Sequence, residues 1–102
     1  ERRDYIVNSL NQIDGLSCNN PHGAFYAFPN ISKVFGKKTP DGTTINSSED
    51  FCVHLLKNHL VACVHGSAFG AEGYMRLSYA TSMENIKNGV ERIQKAVAEL
   101  SI

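Results

Sequence analysis

The chain has 102 residues, with ten basic and ten acidic side chains and 42% apolar residues. This length supports one domain with a modest core, and zero formal charge leaves no electrostatic footprint for nucleic acid or an anionic membrane. No apolar run approaches bilayer-spanning length and nothing resembles a signal peptide; Cys18, Cys52 and Cys63, with no Cys-x-x-Cys pair, read as reduced packing residues rather than a metal or disulfide framework.

Taken in chain order, Ile6, Leu10 and Ile13 recur at helical spacing over residues 1–14, and Gly15 stops the helix. The chain opens Glu-Arg-Arg-Asp inside that pattern, without an initiator methionine, which points to a piece of a longer polypeptide. Residues 16–19 form a short strand, 20–23 a turn, and 24–28 a second strand ended by Pro29. Residues 30–47 are polar and glycine-containing. They predict a surface loop with one helical turn near 31–35 and a tight turn at Thr39-Pro-Asp-Gly42. Ser47 or Ser48 caps the next helix, whose apolar face uses Phe51, Cys52, Leu55 and Leu56. Residues 61–64 are a continuous apolar run, as in a strand covered on both sides.

Gly66, Gly70 and Gly73 then break regularity, and residues 74–80 alternate: Met75, Leu77 and Tyr79 point one way, Arg76 and Ser78 the other. Thr81-Ser-Met-Glu84 fits a capping box. The last helix sets Ile86, Val90, Ile93, Val97 and Leu100 on one stripe. The order α-β-β-α-β-β-α predicts an α+β, two-layer fold: a small mixed or antiparallel sheet with helices on one face. The other face is left free, with Arg76, Ser78 and one side of residues 24–28 looking out from it.

Arg76 carries the most chemistry. A guanidinium in mid-strand must meet water, a carboxylate or a ligand, because burying it unpaired is too costly. On the residues alone, a surface or structural ion pair is the commoner role for a strand arginine. The glycines do not form a nucleotide-binding loop, because they lack the Gly-x-Gly-x-x-Gly order and precede a strand. His54 and His59 are five apart and share no helical face well, so no metal site is read there. Tyr26 and Tyr79 read as core or rim aromatics.

Val61-Ala-Cys-Val-His-Gly-Ser-Ala-Phe-Gly-Ala-Glu-Gly-Tyr-Met-Arg-Leu-Ser-Tyr-Ala80 resembles the C-terminal signature of class I pyridoxal-phosphate aminotransferases, in particular their bacterial-type aspartate branch. Pro21-His-Gly23-Ala-Phe25-Tyr-Ala-Phe-Pro29 resembles that family's Pro-x-Gly-Ala-Phe-Tyr strand, and the element order matches along essentially the whole chain. His65 departs from the pattern, standing where the family usually has proline before the turn.

The resemblance implies that residues 1–102 are the C-terminal small domain of a longer enzyme. That enzyme would be a cytoplasmic homodimer that moves an amino group from an amino acid, aspartate first, to a 2-oxo acid such as 2-oxoglutarate. By the same resemblance Arg76 binds the substrate α-carboxylate, Phe69 lies near it, and Gly66, Gly70 and Gly73 shape a pocket loop. Pyridoxal phosphate, its Schiff-base lysine and its phosphate-binding groups belong to a large domain of the same chain. No catalytic residue is then expected here, and the isolated chain should bind no cofactor and be inactive. Lys33, in Ser-Lys-Val-Phe-Gly, imitates the cofactor lysine in the wrong flanks and place, and is read as a solvated loop residue. Two rivals remain: another enzyme on the same cofactor, such as a carbon–sulfur lyase or cyclase, and a freestanding amino-acid-binding α+β module.

Overall fold

The computed structural model describes residues 2–18 and 26–102. Apolar spacing places the helices. In α1 (Arg2–Asn11), Ile6, Val7 and Leu10 are buried, and Ile13 joins them just past its end. Gly15 then takes φ +94°, a conformation that glycine reaches without steric cost. In α2 (Ser48–His59), the Ser47 side chain accepts a hydrogen bond from the Asp50 N–H, satisfying one orphan donor of the first turn. α3 (Met83–Ala98) buries Ile86, Val90, Ile93 and Val97, the stripe expected from the sequence. Its cap is Ser82, which accepts from the Asn85 N–H, while Thr81 accepts from the Asn85 side chain. The expected capping box is therefore shifted by one residue.

Three short strands complete the framework: β1 (Tyr26–Ala27), β2 (Val64–His65) and β3 (Met75–Ser78). They form an antiparallel sheet in the order β1-β3-β2, with Tyr26 opposite Ser78, Ala27 opposite Leu77, Val64 opposite Arg76 and His65 opposite Met75. Side chains alternate across a strand. Ala27, Met75 and Leu77 face a core shared with Leu10, Phe51 and Ile93, whereas Tyr26 and Ser78 face outward. The α+β fold with helices on one sheet face is thus the one predicted.

Several local expectations differ. Of the strand expected at 16–19, the described part reduces to one bridge between Ser17 and Asn30, and the Asn11 side chain holds both the N–H and the carbonyl of Cys18. The turn at 20–23 and the first residues of the strand at 24–28 lie outside the described residues. The run 61–64 is not a doubly covered strand. Val61 is buried, but Ala62 is exposed and the extended pair begins at Val64. In α2, Leu56 is exposed, while Ser48 and His54 take buried places beside Phe51, Cys52 and Leu55.

Residues 30–47 are also more than a surface loop. Ile31, Val34 and Ile45 are core residues, a 3₁₀ turn covers Ser32–Val34, and Lys38 pairs through its backbone with both Thr44 and Ser101. The turn at Thr39–Gly42 forms as predicted, with the Gly42 N–H bonded to the Thr39 carbonyl at 2.9 Å.

Candidate functional site

The open face of the sheet gathers the residues that the sequence singles out. Arg76 stands in the middle of β3, half-buried between exposed Tyr74 and Ser78. Its Cζ lies 4.5 Å from the Tyr26 ring centroid and 5.9 Å from that of Phe69. Phe28 meets Phe69 edge to face at 5.8 Å. Tyr26, Phe28, Phe69 and Tyr74 keep between 38% and 41% of their surface open, so these aromatics form a rim rather than a core.

Among the described residues Arg3 forms an ion pair with Asp4, and His59 Nε2 lies 3.3 Å from Glu99, an ion pair when the imidazole is protonated; Arg76 takes part in neither. The structural ion pair that statistics favour for a strand arginine is therefore not formed among the described residues. A guanidinium held this way offers two parallel N–H donors to a carboxylate.

The glycine segment beside Arg76 is a tightly fixed turn. After β2 the chain makes a 3₁₀ turn (Gly66–Phe69), and Gly70 and Gly73 take φ +77° and +96°. Gly66 is needed for a different reason. The backbone crosses itself there, with the Gly66 N–H bonded to the Tyr74 carbonyl and the Ala71 N–H bonded to the Gly66 carbonyl, both at 2.8 Å. A Cβ at position 66 would lie 1.9 Å from the Ala71 oxygen.

Glu72 pins the turn to α2: one carboxylate oxygen accepts from the Ser48 N–H and the Gly73 N–H, each at 3.0 Å. The Ser48 hydroxyl also bonds Glu72, and these bonds hold the Glu72 carboxyl below its ordinary range. Ser48 itself is fully buried, and its oxygen accepts weakly from the Ser67 N–H at 3.4 Å. Nothing in the sequence marks this anchor, because residues 48 and 72 are far apart in the chain.

His65 keeps a φ of −71°, which is the φ of proline. The backbone at this departure from the family pattern is thus one that proline could also adopt, and the imidazole adds a 2.6 Å hydrogen bond between Nδ1 and Ser67 Oγ.

The other candidates lie elsewhere. Lys33 is exposed on the Ser32–Val34 turn. His54 and His59, separated on sequence grounds, do meet, with ring centroids 5.2 Å apart, because His59 closes the last turn of α2. Burial, and then His59, push the His54 pKa down. Among the described residues, no group of three or more His, Cys, Asp or Glu is arranged to hold a metal ion. A hydrogen bond between the free thiols of Cys52 and Cys63 raises the Cys52 pKa and lowers that of Cys63; burial raises that of Cys18.

Comparisons with known proteins fit this geometry. The model of the family described as aminotransferase class I and II matches residues 1–93. An aspartate aminotransferase of Rhizobium meliloti is 51% identical over 100 residues, covering 98% of this chain and 24% of that protein. A probable aspartate/prephenate aminotransferase of Rickettsia felis is 44% identical over 102 residues, covering 100% of this chain and 25% of that protein. Among solved structures, the aspartate aminotransferase from Rhizobium meliloti superposes with a TM-score of 0.96 at 51% identity, over 98% of this chain and 25% of that one. The alanine aminotransferase from Pyrococcus furiosus gives 0.81 at 34%, over 96% and 23%. The chain thus spans about a quarter of the length of the relatives it matches.

Proposed function

Because this chain belongs to the class I and II aminotransferase family, we propose that it supplies the substrate-carboxylate receptor of a longer, pyridoxal-phosphate-dependent aminotransferase. The donor is an amino acid, aspartate first, as in the names of the Rhizobium and Rickettsia relatives, and the acceptor is a 2-oxo acid such as 2-oxoglutarate. The observation that carries this reading is Arg76: a mid-strand guanidinium framed by aromatic rings on an open sheet face, with no acidic partner among the described residues.

The cofactor fits elsewhere in the longer protein. No lysine stands on the three strands or on residues 66–73, and Lys33 is exposed on a separate turn. When bound, pyridoxal phosphate supplies the electron sink that makes the amino acid's α-proton removable. Arg76 contributes orientation. Its two N–H donors bind the α-carboxylate as a fork, which fixes the rotation of the substrate about its α-carbon. The rest of the enzyme, including a large domain of the same chain, a second copy in a homodimer and a cytoplasmic setting, completes the proposal.

Lysine at position 76 would keep the charge and lose the fork. In the full-length enzyme, Arg76→Lys should lower kcat/KM for aspartate by a factor corresponding to about 2 kcal/mol, or roughly thirtyfold. An unchanged kcat/KM would remove Arg76 from the receptor.

A further inference from the structure

We propose that Tyr26 is a positioning residue for the receptor arginine: its ring face holds the Arg76 guanidinium in place while leaving every N–H donor free. This rests on the reading of Arg76 as the carboxylate receptor. The geometry is specific. Tyr26 is opposite Ser78 in the antiparallel register, so on the open face its side chain is the diagonal neighbour of Arg76. The Arg76 Cζ lies 4.5 Å from its ring centroid, within the range where a cation is drawn to a π face. Phe69 stands on the guanidinium more loosely, at 5.9 Å, and is itself braced by Phe28.

A long arginine side chain must be held in one rotamer if it is to receive a carboxylate in one orientation. A carboxylate partner would do this, but it would occupy the same N–H donors and cancel the charge that attracts the substrate. A backbone carbonyl would likewise consume donors. An aromatic face does neither. It attracts the cation through its quadrupole without accepting a conventional hydrogen bond, and leaves the positive charge intact. Tyr26 is 38% exposed, on the face away from the core to which Ala27 contributes, so core packing does not account for its place.

The test uses the full-length enzyme and four variants: Tyr26→Leu, Tyr26→Phe, Arg76→Lys and the double variant Tyr26→Leu/Arg76→Lys. KM and kcat for aspartate are measured, together with Kd for maleate, a dicarboxylate probe with no amino group to transfer. A contact worth the usual cation–π range corresponds to a roughly two- to thirtyfold effect. Tyr26→Leu should raise KM and the maleate Kd within that range while kcat moves far less, because the contact serves ground state and transition state alike. Tyr26→Phe, which keeps the ring face and loses the hydroxyl, should stay close to wild type. On the Arg76→Lys background, Tyr26→Leu should add little, since the effect passes through the guanidinium.

Three results overturn the proposal while leaving the receptor reading in place: Tyr26→Leu with unchanged KM and Kd, Tyr26→Phe as impaired as Tyr26→Leu, or equal Tyr26→Leu effects on the two backgrounds. If Arg76→Lys itself binds aspartate and maleate like wild type, the receptor reading falls, and the proposal with it. Thermal unfolding and cofactor absorbance of each variant separate a positioning effect from a loss of fold, because a folding defect lowers the active fraction and kcat rather than shifting Kd.

Discussion

The same substitution, glycine to alanine, should have opposite signs at two positions of this chain. At Gly66 a new Cβ meets the Ala71 oxygen at 1.9 Å and the Tyr74 oxygen at 2.5 Å. A relaxed carbon–oxygen contact needs about 3.3 Å, so the backbone at Ala71 must retreat by more than about 1 Å. That retreat disrupts the two 2.8 Å hydrogen bonds that close the turn. They contribute about 1 kcal/mol each, and the strain of overpacking adds about 1–3 kcal/mol, for a loss of about 3–5 kcal/mol. Gly89, inside α3, has nothing within 4 Å of its would-be Cβ and no positive φ. Alanine there should stabilise by about 0.5–1 kcal/mol, through helix propensity.

The assay is urea unfolding of the 102-residue chain followed by far-UV circular dichroism. With a slope of about 1.5 kcal/mol per molar, Gly66→Ala should lower the midpoint by about 2–3 M and Gly89→Ala should raise it by about 0.5 M. A Gly66→Ala variant already unfolded in buffer would place the loss above the whole stability of the chain. A Gly66→Ala midpoint within about 0.3 M of wild type would refute the close backbone crossing from which the loss is derived.

Two further outcomes test the surroundings. Glu72→Gln should speed amide exchange at Ser48 and Gly73, since a carboxylate accepts their N–H groups, and unchanged protection at both would refute the anchor. Because the Glu72 pKa is depressed, the anchor's contribution is present above the ordinary value of 4.5 and lost as pH falls through the lower folded value. His54 is also depressed, from 6.5, so keeping it neutral stabilises the fold above that pH, and the contribution is lost as pH falls through the folded value. Asp41 and Glu99 oppose that shift and His59 adds to it. His54→Gln should therefore flatten the acid side of a urea-midpoint profile, and parallel profiles for variant and wild type would remove His54 as its source.

The sequence made some of this plain and hid the rest for physical reasons. Periodicity revealed α1, α3 and the alternation of β3, because each buries one face against a single partner layer. It placed Arg76 and Ser78 on the open face, together with one side of the strand that includes Tyr26. Periodicity failed at residues 61–64, where a short apolar run carries no phase, and only the structure shows Ala62 exposed. It failed again in residues 30–47. There Ile31, Val34 and Ile45 are isolated apolar residues in polar sequence, and long-range partners, including the Ser101 backbone, decide their burial. The sequence pattern carries the helical face of α2 one residue too far, to Leu56, and it marks Ser48 only as a cap candidate, because the burial of Ser48 beside Glu72 is a long-range contact.

That missed contact alters the meaning of the glycines. Three glycines in eight residues suit a mobile loop, and mobility beside the proposed receptor arginine would cost affinity, since each binding event would have to order the loop again. Here each glycine is spent on geometry instead: Gly66 on the backbone crossing, Gly70 and Gly73 on left-handed conformations, with Glu72 between them tied to the start of α2. The turn also carries Phe69, one of the two rings that face Arg76 among the described residues. The strand fixes where Arg76 starts, β1 supplies the nearer ring, and the anchored turn supplies the farther one. On the proposed reading of Arg76, a guanidinium held from three directions would be ordered before a carboxylate arrives, so the free energy of the charge-assisted fork would go into binding rather than into ordering the site.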